Sequence, residues 1–363
     1  RLLLPPPAQA PEAFTRGRMF PITKNQKSGP GGSRLLHLVA ASAKLAGGVC
    51  WELARLGGCP PPDPAQFGFI HATGCRDATL LKDECARRLL SSGKNVLRIS
   101  LDIQQAFPTL SHAAILKVVD SWPAPARAAG HQLLLFLFQG QVVMSCPGEG
   151  SHELHLVAGV RQGSVEGPHL FRCTFDVLLP LVRAFLVQIA DEFGLPTGLT
   201  DWFCDGAQVD AGLNAELSFA LADAQARPLQ SSAIAFADDT DLTLAVPRDW
   251  TAEQWGALHQ AVLTGLQGVL EPFGLRLHPG KTVLTPLVQG VGSAGLALAL
   301  GHMGLGSGRS VSLGMAFTAG GVARTRVQDR RQMAWAKLRA CQRAVTRSRT
   351  SFRRALMRGV VLG

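Results

Sequence analysis

The stretch Ala233–Val246, AIAFADDTDLTLAV, carries two adjacent acids, Asp238 and Asp239, at the centre of an apolar, strand-like segment. Adjacent strand side chains point to opposite faces, so one acid would be driven toward the core unless the chain turns there. We therefore interpret the segment as a hairpin with the acids at its tip. Two carboxylates about 4 Å apart repel by roughly 4 kcal/mol at an effective dielectric of about 20. A divalent cation would reverse that sign, whereas a solvated loop would need no cation.

A third acid strengthens the metal hypothesis. Asp102 ends the strand-like run RISLD, directly before a turn, in a setting that is otherwise apolar. An acid in such a place needs a partner, because burying an isolated charge is costly. Three carboxylates from two strands can hold two metal ions ~3.5–4 Å apart, an arrangement that serves phosphoryl or nucleotidyl transfer. Ligands that are all oxygen favour Mg²⁺, with Mn²⁺ as a possible substitute.

Composition describes a globular chain of 363 residues, 47% hydrophobic and 17% charged. These fractions exclude wholesale disorder. We find no run of about 18 or more apolar residues and no signal peptide, so we expect no membrane partner. The eight cysteines have no zinc-type spacing, and we expect reduced thiols in the nucleus or cytoplasm. Since the chain starts at Arg1 rather than Met, we expect a fragment whose flanking domains lie elsewhere.

The positive charge is concentrated in one segment. Residues 321–363 hold twelve Lys or Arg against a single acid, Asp329, so the net charge of +10 resides there and residues 1–320 are nearly neutral. A basic element beside a neutral body is typical of a protein that binds a polyanion, nucleic acid before membrane. A solvated helix face would explain the same pattern, and charge alone does not choose between them.

Periodicity predicts the elements that position the acids. We expect a poorly ordered lead-in over 1–33, then a helix that begins near Leu35. Further helices are predicted over 77–90, after a Ser111 N-cap, over 167–189 with a kink or break at Pro180, and after a Thr251 cap. Strands are predicted over 95–103 and 152–160. The segments LRLHPGKTVLTPL and VSLGMAFTAGG each predict a short hairpin, and the basic tail predicts helix.

Four segments, LDIQQAF, GVRQGSVEGPHLF, FADD and GLRLHPGKT, occur in the order of the palm motifs of reverse transcriptases. They most resemble those of non-LTR retrotransposons. Upstream, QFGFIHATGCRDAT resembles the fingers segment, and VSLGMAFTAGG resembles the hairpin that joins palm to thumb. The similarity covers roughly Gln66 to Gly321.

The resemblance implies an α+β right-hand polymerase fold, with fingers, a palm of antiparallel sheet backed by helices, and a thumb. The expected division is a flexible lead-in (1–33), fingers (34–94), the first palm strand and its helix (95–120), a fingers–palm connection (121–155), the palm (156–295), a connecting hairpin (296–320) and a basic helical thumb (321–363).

By the same resemblance, Asp102 and Asp238 would ligate both Mg²⁺ ions and Asp239 would complete the triad. Lys281 would protonate or neutralise the departing pyrophosphate. Phe107 would be a steric gate that leaves no room for a 2′-OH, beside the small Ala106. A core phenylalanine and a surface lysine are the plainer interpretations of Phe107 and Lys281.

Further contacts are implied for the substrates. The nucleotide would meet residues of three motifs, namely Arg76, Ile103, Ala106, Phe107, Arg161, Gln162 and Gly163. The nucleic acid would meet Phe236 and the basic tail residues Arg330, Arg331, Lys337, Arg339 and Arg343.

The chain departs from the family pattern after Gln162-Gly163. Most members continue Asp-Pro-Leu, whereas here the sequence is Ser164-Val165-Glu166. If Glu166 faced the nucleotide pocket, its charge would oppose the entry of a triphosphate. Pro108 also replaces an acid that commonly follows the gate.

The predicted function is RNA-templated DNA synthesis, by transfer from a dNTP to a DNA primer 3′-OH on an RNA template, within a retrotransposon replication protein. Two alternatives stay open at this point. The chain could be an inactive element copy that only binds nucleic acid, or a polymerase of the group II intron type or one that makes RNA.

Overall fold

The computed structural model describes residues 10, 12–23, 33–71, 73–146, 150–196, 232–278, 281–290, 292–303, 305, 309–312 and 315–318. Within these ranges the helices are α1 (Glu12–Thr15), α2 (Ala41–Leu56), α3 (Cys75–Ser91), α4 (Ala106–Thr109), α5 (His112–Asp120), α6 (Ala124–Phe138), α7 (Glu166–Glu192), α8 (Ala252–Leu270) and α9 (Ser293–His302). The strands are β1 (Arg16–Thr23), β2 (Ser33–Val39), β3 (Asn95–Leu101), β4 (Gln141–Cys146), β5 (Gly150–His155), β6 (Ser232–Phe236), β7 (Asp239–Val246), β8 (Val283–Leu287), β9 (Arg309–Ser312) and β10 (Met315–Thr318). The thumb predicted for 321–363 lies outside the described residues.

The central sheet has the strand order β6-β7-β3-β8, and all its pairs are antiparallel. Strand β3 lies inside the sheet, with Ile99 opposite Leu242 of β7 and Leu284 of β8. Strands β6 and β7 form the predicted hairpin around the adjacent acids. This sheet is what brings two distant parts of the chain together.

Alternation along β3 divides the surroundings of the sheet in two. Leu97, Ile99 and Leu101 belong to the main core, which helices α5 to α8 complete. Val96 instead packs with Ala86 and Leu89 of α3. Successive strand side chains point to opposite faces, so α3 covers one face and the main core the other.

A second sheet has the order β2-β1-β4-β5, with β1 antiparallel to β2 and parallel to β4. Two sequence predictions are therefore wrong here. Residues 16–23 are a strand inside the proposed flexible lead-in, and the segment from Leu35 begins as β2, with helix only from Ala41. The apolar run LLHLV is compatible with either a helix or a strand, so its periodicity does not distinguish them. It forms a strand because it pairs with β1.

Of the kink or break predicted at Pro180, the break does not occur, because α7 continues through Pro180 as a single helix of 27 residues; the kink stays a prediction. Pro180 is exposed, whereas Leu178, Leu179 and Val182 around it are buried. Burying such side chains contributes about 1.5–3 kcal/mol each, enough to offset the roughly 3 kcal/mol penalty of an interior proline. In the part of the chain described, α7 alone is long and apolar enough to cross a bilayer, and its buried side chains join the main core.

The segment LRLHPGKTVLTPL does not form the predicted hairpin in its described residues. Leu277 pairs with Ile103, and β8 pairs with β3, so both arms extend along one neighbouring strand. Other local predictions are confirmed: α3 covers 77–90, Ser111 caps α5, and Thr251 caps α8 with a capping box. Strands β9 and β10 pair as the second predicted hairpin.

Shortening Ile99 tests the importance of the central strand. Ile99 is fully buried, so Ile99→Ala should lower the free energy of unfolding by about 2–5 kcal/mol, through lost burial and a residual cavity. Leu181→Ala is the control, because Leu181 is 46% exposed and its truncation should change stability by about 0.5 kcal/mol or less. Urea denaturation of both variants measures the difference. Equal midpoints for the two variants would contradict the assignment of β3 to the core.

Candidate active site

Strand register places Asp102 beside Asp239. The last pair of β3 with β7 is Leu101 opposite Thr240, so Asp102 leaves one strand where Asp239 begins the other. Opposite residues of antiparallel strands have Cβ atoms about 4.5–5.5 Å apart. Asp238 precedes Asp239 at the tip of the hairpin. The three predicted acids therefore lie at the same end of the central sheet.

Electrostatics agree with this proximity. Desolvation, then the carboxylate of Asp238, raise the pKa of Asp239 to about 6, and Asp102 contributes in the same direction. The Lys82 ammonium acts against them. A carboxyl group that resists ionisation beside two other acids marks a place where a cation would be stabilised.

The acids form an open set of possible metal ligands. Among the described residues, no three His, Cys, Asp or Glu side chains are arranged so that they could hold a metal ion by themselves. Mg²⁺ does not require one, because it usually binds one or two carboxylates and takes substrate phosphates and water for its other positions. The donor chemistry of Asp102, Asp238 and Asp239 therefore fits Mg²⁺ that arrives with a phosphorylated substrate.

Lys281 lies at the same site. Its Nζ is 3.5 Å from Oδ1 of Asp102, with side chains 52% and 33% exposed. The backbone holds this approach, since the amide of His278 donates to the Asp102 carbonyl at 2.7 Å. Lys281 thus balances part of the acid charge and keeps enough exposure to turn toward a ligand.

A buried ionic network, which sequence reasoning missed, lies behind the acids. Asp241 is 1% exposed, and its carboxylate is 2.8 Å from Nζ of Lys82 and 3.6 Å from Arg98. Ser100 also donates a hydrogen bond to Asp241. Burial works to raise the pKa of Asp241, but Lys82 and Arg98 outweigh it and hold the pKa below its ordinary value. The available signal was Arg98, a basic residue inside the otherwise apolar strand β3, whereas Lys82 is one of several charged residues of α3 and nothing in the sequence marks it as buried.

The proposed gate, Phe107, is half-buried at the start of the short helix α4. Its ring stacks on Phe171 with centroids 4.3 Å apart, and Phe69 meets it edge-on at 5.9 Å. The ring is thus held in one orientation. Ile103 and Ala106 are only 5% and 3% exposed, so their side chains belong to the core and are not available to a nucleotide.

The turn at Gln162 and Gly163 is pinned to β2. The amide of His37 donates to the Gln162 carbonyl at 2.6 Å, and the amide of Gln162 donates to Nδ1 of His37 at 3.2 Å. Gly163 has φ +113°, and a Cβ there would lie 2.4 Å from the His37 carbonyl oxygen. A side chain at 163 is therefore excluded, and Gly163 itself is exposed.

The prediction that Arg161 contacts a nucleotide phosphate is wrong. Arg161 is 2% exposed, and its Nε donates to Glu166 at 2.9 Å. Its Nη2 also donates to Glu166, and its Nη1 donates to the carbonyl oxygens of Phe14 and Thr15. Glu166 is 1% exposed, so the expected charge in the nucleotide pocket is also wrong. The replaced motif residues form an internal ion pair instead.

The other predicted contacts have different outcomes. Phe236 is half-buried and packs against a small cluster of Phe67, Ala78, Cys85 and Ile234. The side chain of Arg76 lies outside the described part of the structure, as do all five basic residues predicted in the tail: Arg330, Arg331, Lys337, Arg339 and Arg343.

The antiparallel sheet, its acid-bearing hairpin and the acid at the end of β3 define the palm of a template-directed polymerase. Residues 24–294 match the family described as reverse transcriptase (RNA-dependent DNA polymerase). The chain belongs to the reverse transcriptase family. It carries an RNA-directed DNA polymerase domain, as the four ordered motifs predict.

The relatives point to mobile elements. The chain is 30% identical over 117 residues to the Pol polyprotein of the type-2 retrotransposable element R2DM of Drosophila melanogaster, covering 32% of this chain and 11% of that protein. It is 25% identical over 146 residues to the Pol polyprotein of the type-1 element R2 of Popillia japonica, covering 40% and 19% respectively. The chain thus spans less than a fifth of either relative. The predicted resemblance to non-LTR elements is confirmed.

The fold is also similar to a solved structure, the apo telomerase of Candida tropicalis truncated from its C-terminal domain. The TM-score is 0.50 at 9% sequence identity, covering 84% of this chain and 54% of that one. This likeness confirms the predicted α+β polymerase fold.

Removing Arg161 tests its structural role. Arg161→Met leaves Glu166 buried without a partner, so the free energy of unfolding should fall by about 3–5 kcal/mol. The double variant Arg161→Met/Glu166→Leu should recover most of that loss, because it removes the stranded charge. Urea denaturation measures both. If Arg161→Met instead left stability unchanged and raised the KM for the nucleotide, Arg161 would be a substrate-binding residue after all.

Proposed function

We propose that this domain extends a DNA primer along an RNA template by adding deoxynucleotides to the primer 3′-OH and releasing pyrophosphate, within a retrotransposon replication protein. Membership of the reverse transcriptase family supports the reaction class. The observation that carries the proposal is the register of β3 and β7, which sets Asp102 beside the Asp238-Asp239 pair.

The acids are the proposed ligands of two Mg²⁺ ions, with Mn²⁺ as a substitute. When bound, such ions stabilise the attacking and the leaving oxygens of an in-line displacement. Asp102 and the hairpin acids reach the site from two different strands, so they can approach the primer terminus and the triphosphate from two sides. Desolvation and the neighbouring carboxylates disfavour the charged form of Asp239, and a bound cation would offset both effects.

Lys281 is the proposed partner of the departing pyrophosphate. Its Nζ is 3.5 Å from Oδ1 of Asp102, and its side chain is 52% exposed. A triphosphate bound beside the three acids would therefore lie within reach of the Lys281 ammonium group. Negative charge develops on the leaving group, and a cation or proton donor at that point lowers the barrier.

Phe107 is the proposed gate against ribonucleotides. Its stacking on Phe171 fixes the ring, and a fixed ring can exclude a 2′-OH where a mobile ring would yield. The backbone carbonyl of Phe107 also accepts a hydrogen bond from the amide of Val160 at 2.8 Å, which ties the gate to the turn that holds Gln162.

The remaining partners follow from charge. The basic segment 321–363 is the proposed contact to the backbone of the template–primer duplex, a kind of binding that weakens with salt. We place the domain in the nucleus or cytoplasm and expect its endonuclease to be part of a longer protein.

Primer extension tests the proposal directly. With poly(rA)/oligo(dT), dTTP and Mg²⁺, the chain should extend the primer. Asp238→Asn should reduce kcat about 1,000-fold or more, since metal stabilisation is worth several kcal/mol and each ~1.4 kcal/mol is tenfold. Asp120→Asn is the control, because that carboxylate is half exposed on α5. Absence of extension by the unaltered chain would favour the inactive copy.

Truncating the gate tests nucleotide choice. Phe107→Ala should lower the preference for dTTP over UTP, the ratio of the two kcat/KM values, by about 10- to 100-fold, because the 2′-OH then has room. Phe138→Ala is the matched control, a half-buried phenylalanine that instead stacks near His112. An unchanged ratio in Phe107→Ala would make Phe107 an ordinary core residue.

A further inference from the structure

A short segment, residues 65–68, lies alongside the acid-bearing hairpin. The amide of Ala235 donates to the Ala65 carbonyl at 2.8 Å, and the amide of Phe67 donates to the Ala235 carbonyl at 2.8 Å. Gln66 thereby pairs with Ala235 as a parallel bridge. Strand β6 thus has a backbone partner from a distant part of the chain. Gln66 and Ala237, the residue after β6, are 171 positions apart.

The side chain of Gln66 holds the residue before the acids. Its Oε1 accepts from the amide of Ala237 at 2.9 Å, and its Nε2 donates to the carbonyl of Ala237 at 3.3 Å. The same Oε1 accepts from the amide of Gly68 at 2.7 Å. Gln66 is 2% exposed, so water does not compete for these bonds.

Ala237 needs such support. Its φ is +59°, a left-handed backbone conformation that residues other than glycine rarely adopt. Strained conformations of this kind persist only where the surroundings over-determine them, and they concentrate at functional sites. Ala237 is directly followed by Asp238, so its backbone angles set where the two acids point.

Gly68 makes the close approach possible. A Cβ at residue 68 would lie 2.2 Å from the amide nitrogen of Ala237, far inside contact distance. Only a glycine lets the segment come near enough for Gln66 to reach both backbone groups of Ala237.

We propose that Gln66 is a positioning residue that locks the hairpin turn and so aims Asp238 and Asp239 at the substrate. The amide group matches the need, because it offers one acceptor to the backbone N–H and one donor to the backbone C=O of the same residue, Ala237. A hydrophobic residue of similar size would fill the space but would remove the side-chain partner of three backbone groups, the N–H and C=O of Ala237 and the N–H of Gly68. The hydrogen bonds from Gln66 to Ala237 do not depend on the proposed function. Only the purpose assigned to them, the positioning of Asp238 and Asp239 for catalysis, rests on the proposed polymerase function.

The experiment compares Gln66→Leu with the matched control Gln132→Leu. Gln132 is also buried, 6% exposed, but lies on α6 and makes no part of the hairpin. A third variant adds Ala237→Gly to Gln66→Leu, because glycine adopts the positive φ without strain. Three quantities are measured: exchange of the Ala237 amide hydrogen in metal-free protein, Mn²⁺ binding by electron paramagnetic resonance, and primer-extension kinetics.

In Gln66→Leu the Ala237 amide should exchange roughly tenfold faster, since it loses its buried acceptor. The kcat should fall about 10- to 100-fold with KM for template–primer unchanged, as expected when reactive groups are misplaced rather than lost. Mn²⁺ binding should weaken, and Ala237→Gly should restore part of kcat. Gln132→Leu should leave all three quantities unchanged, although it is expected to lower thermal stability.

Two results overturn the inference. Unchanged Ala237 exchange in Gln66→Leu would mean that the lock does not exist. Faster exchange with wild-type kcat and Mn²⁺ binding would mean that the lock does not serve the site. Failure of the proposed function is distinguishable from both, because the unaltered chain would then neither bind Mn²⁺ nor extend a primer, and Gln66 would be left with no catalytic group to position.

Discussion

Repulsion among three aspartates is the constraint around which this end of the molecule is built. Asp102, Asp238 and Asp239 lie where β3 and β7 end, and the carboxylates of Asp238 and Asp102 add to desolvation, the largest cause, in raising the pKa of Asp239 to about 6. One face of the sheet stabilises this arrangement, because Leu97, Ile99 and Leu242 are buried in the main core. A cation is the natural complement of such a site.

Buried positive charge limits the conflict. Lys82 and Arg98 flank Asp241 on the α3 side of the sheet, two residues beyond Asp239 on the same strand. Burying an ion pair costs free energy, and removing one partner costs more, because the other charge is left buried without compensation. The buried pair of Lys82 and Asp241 therefore holds α3 against the hairpin strand β7. Arg161 and Glu166 form a comparable buried pair beside the Gln162 turn. In both places charges that look exposed in the sequence are internal.

The elements that a local sequence pattern determines could be predicted from the sequence. Asp102 follows a run of alternating apolar residues, and the hairpin acids sit between two such runs, so both strands and the turn could be placed. The capped helices at Ser111 and Thr251 were predictable for the same reason. Long-range pairing could not be predicted: β1 pairs with β4, β8 with β3, and Gln66 with Ala237, and no local signal indicates a partner so far along the chain. Arg161 was misassigned because an arginine in a loop gives no sign of being buried.

Diffraction at the manganese absorption edge tests the central claim most directly. A crystal of the chain with template–primer, an incoming nucleotide that cannot react and Mn²⁺ should show two anomalous peaks ~3.5–4 Å apart, ligated by Asp102 and the hairpin acids. Peaks elsewhere, or an Asp102 carboxylate turned away from Asp238 and Asp239, would contradict the account.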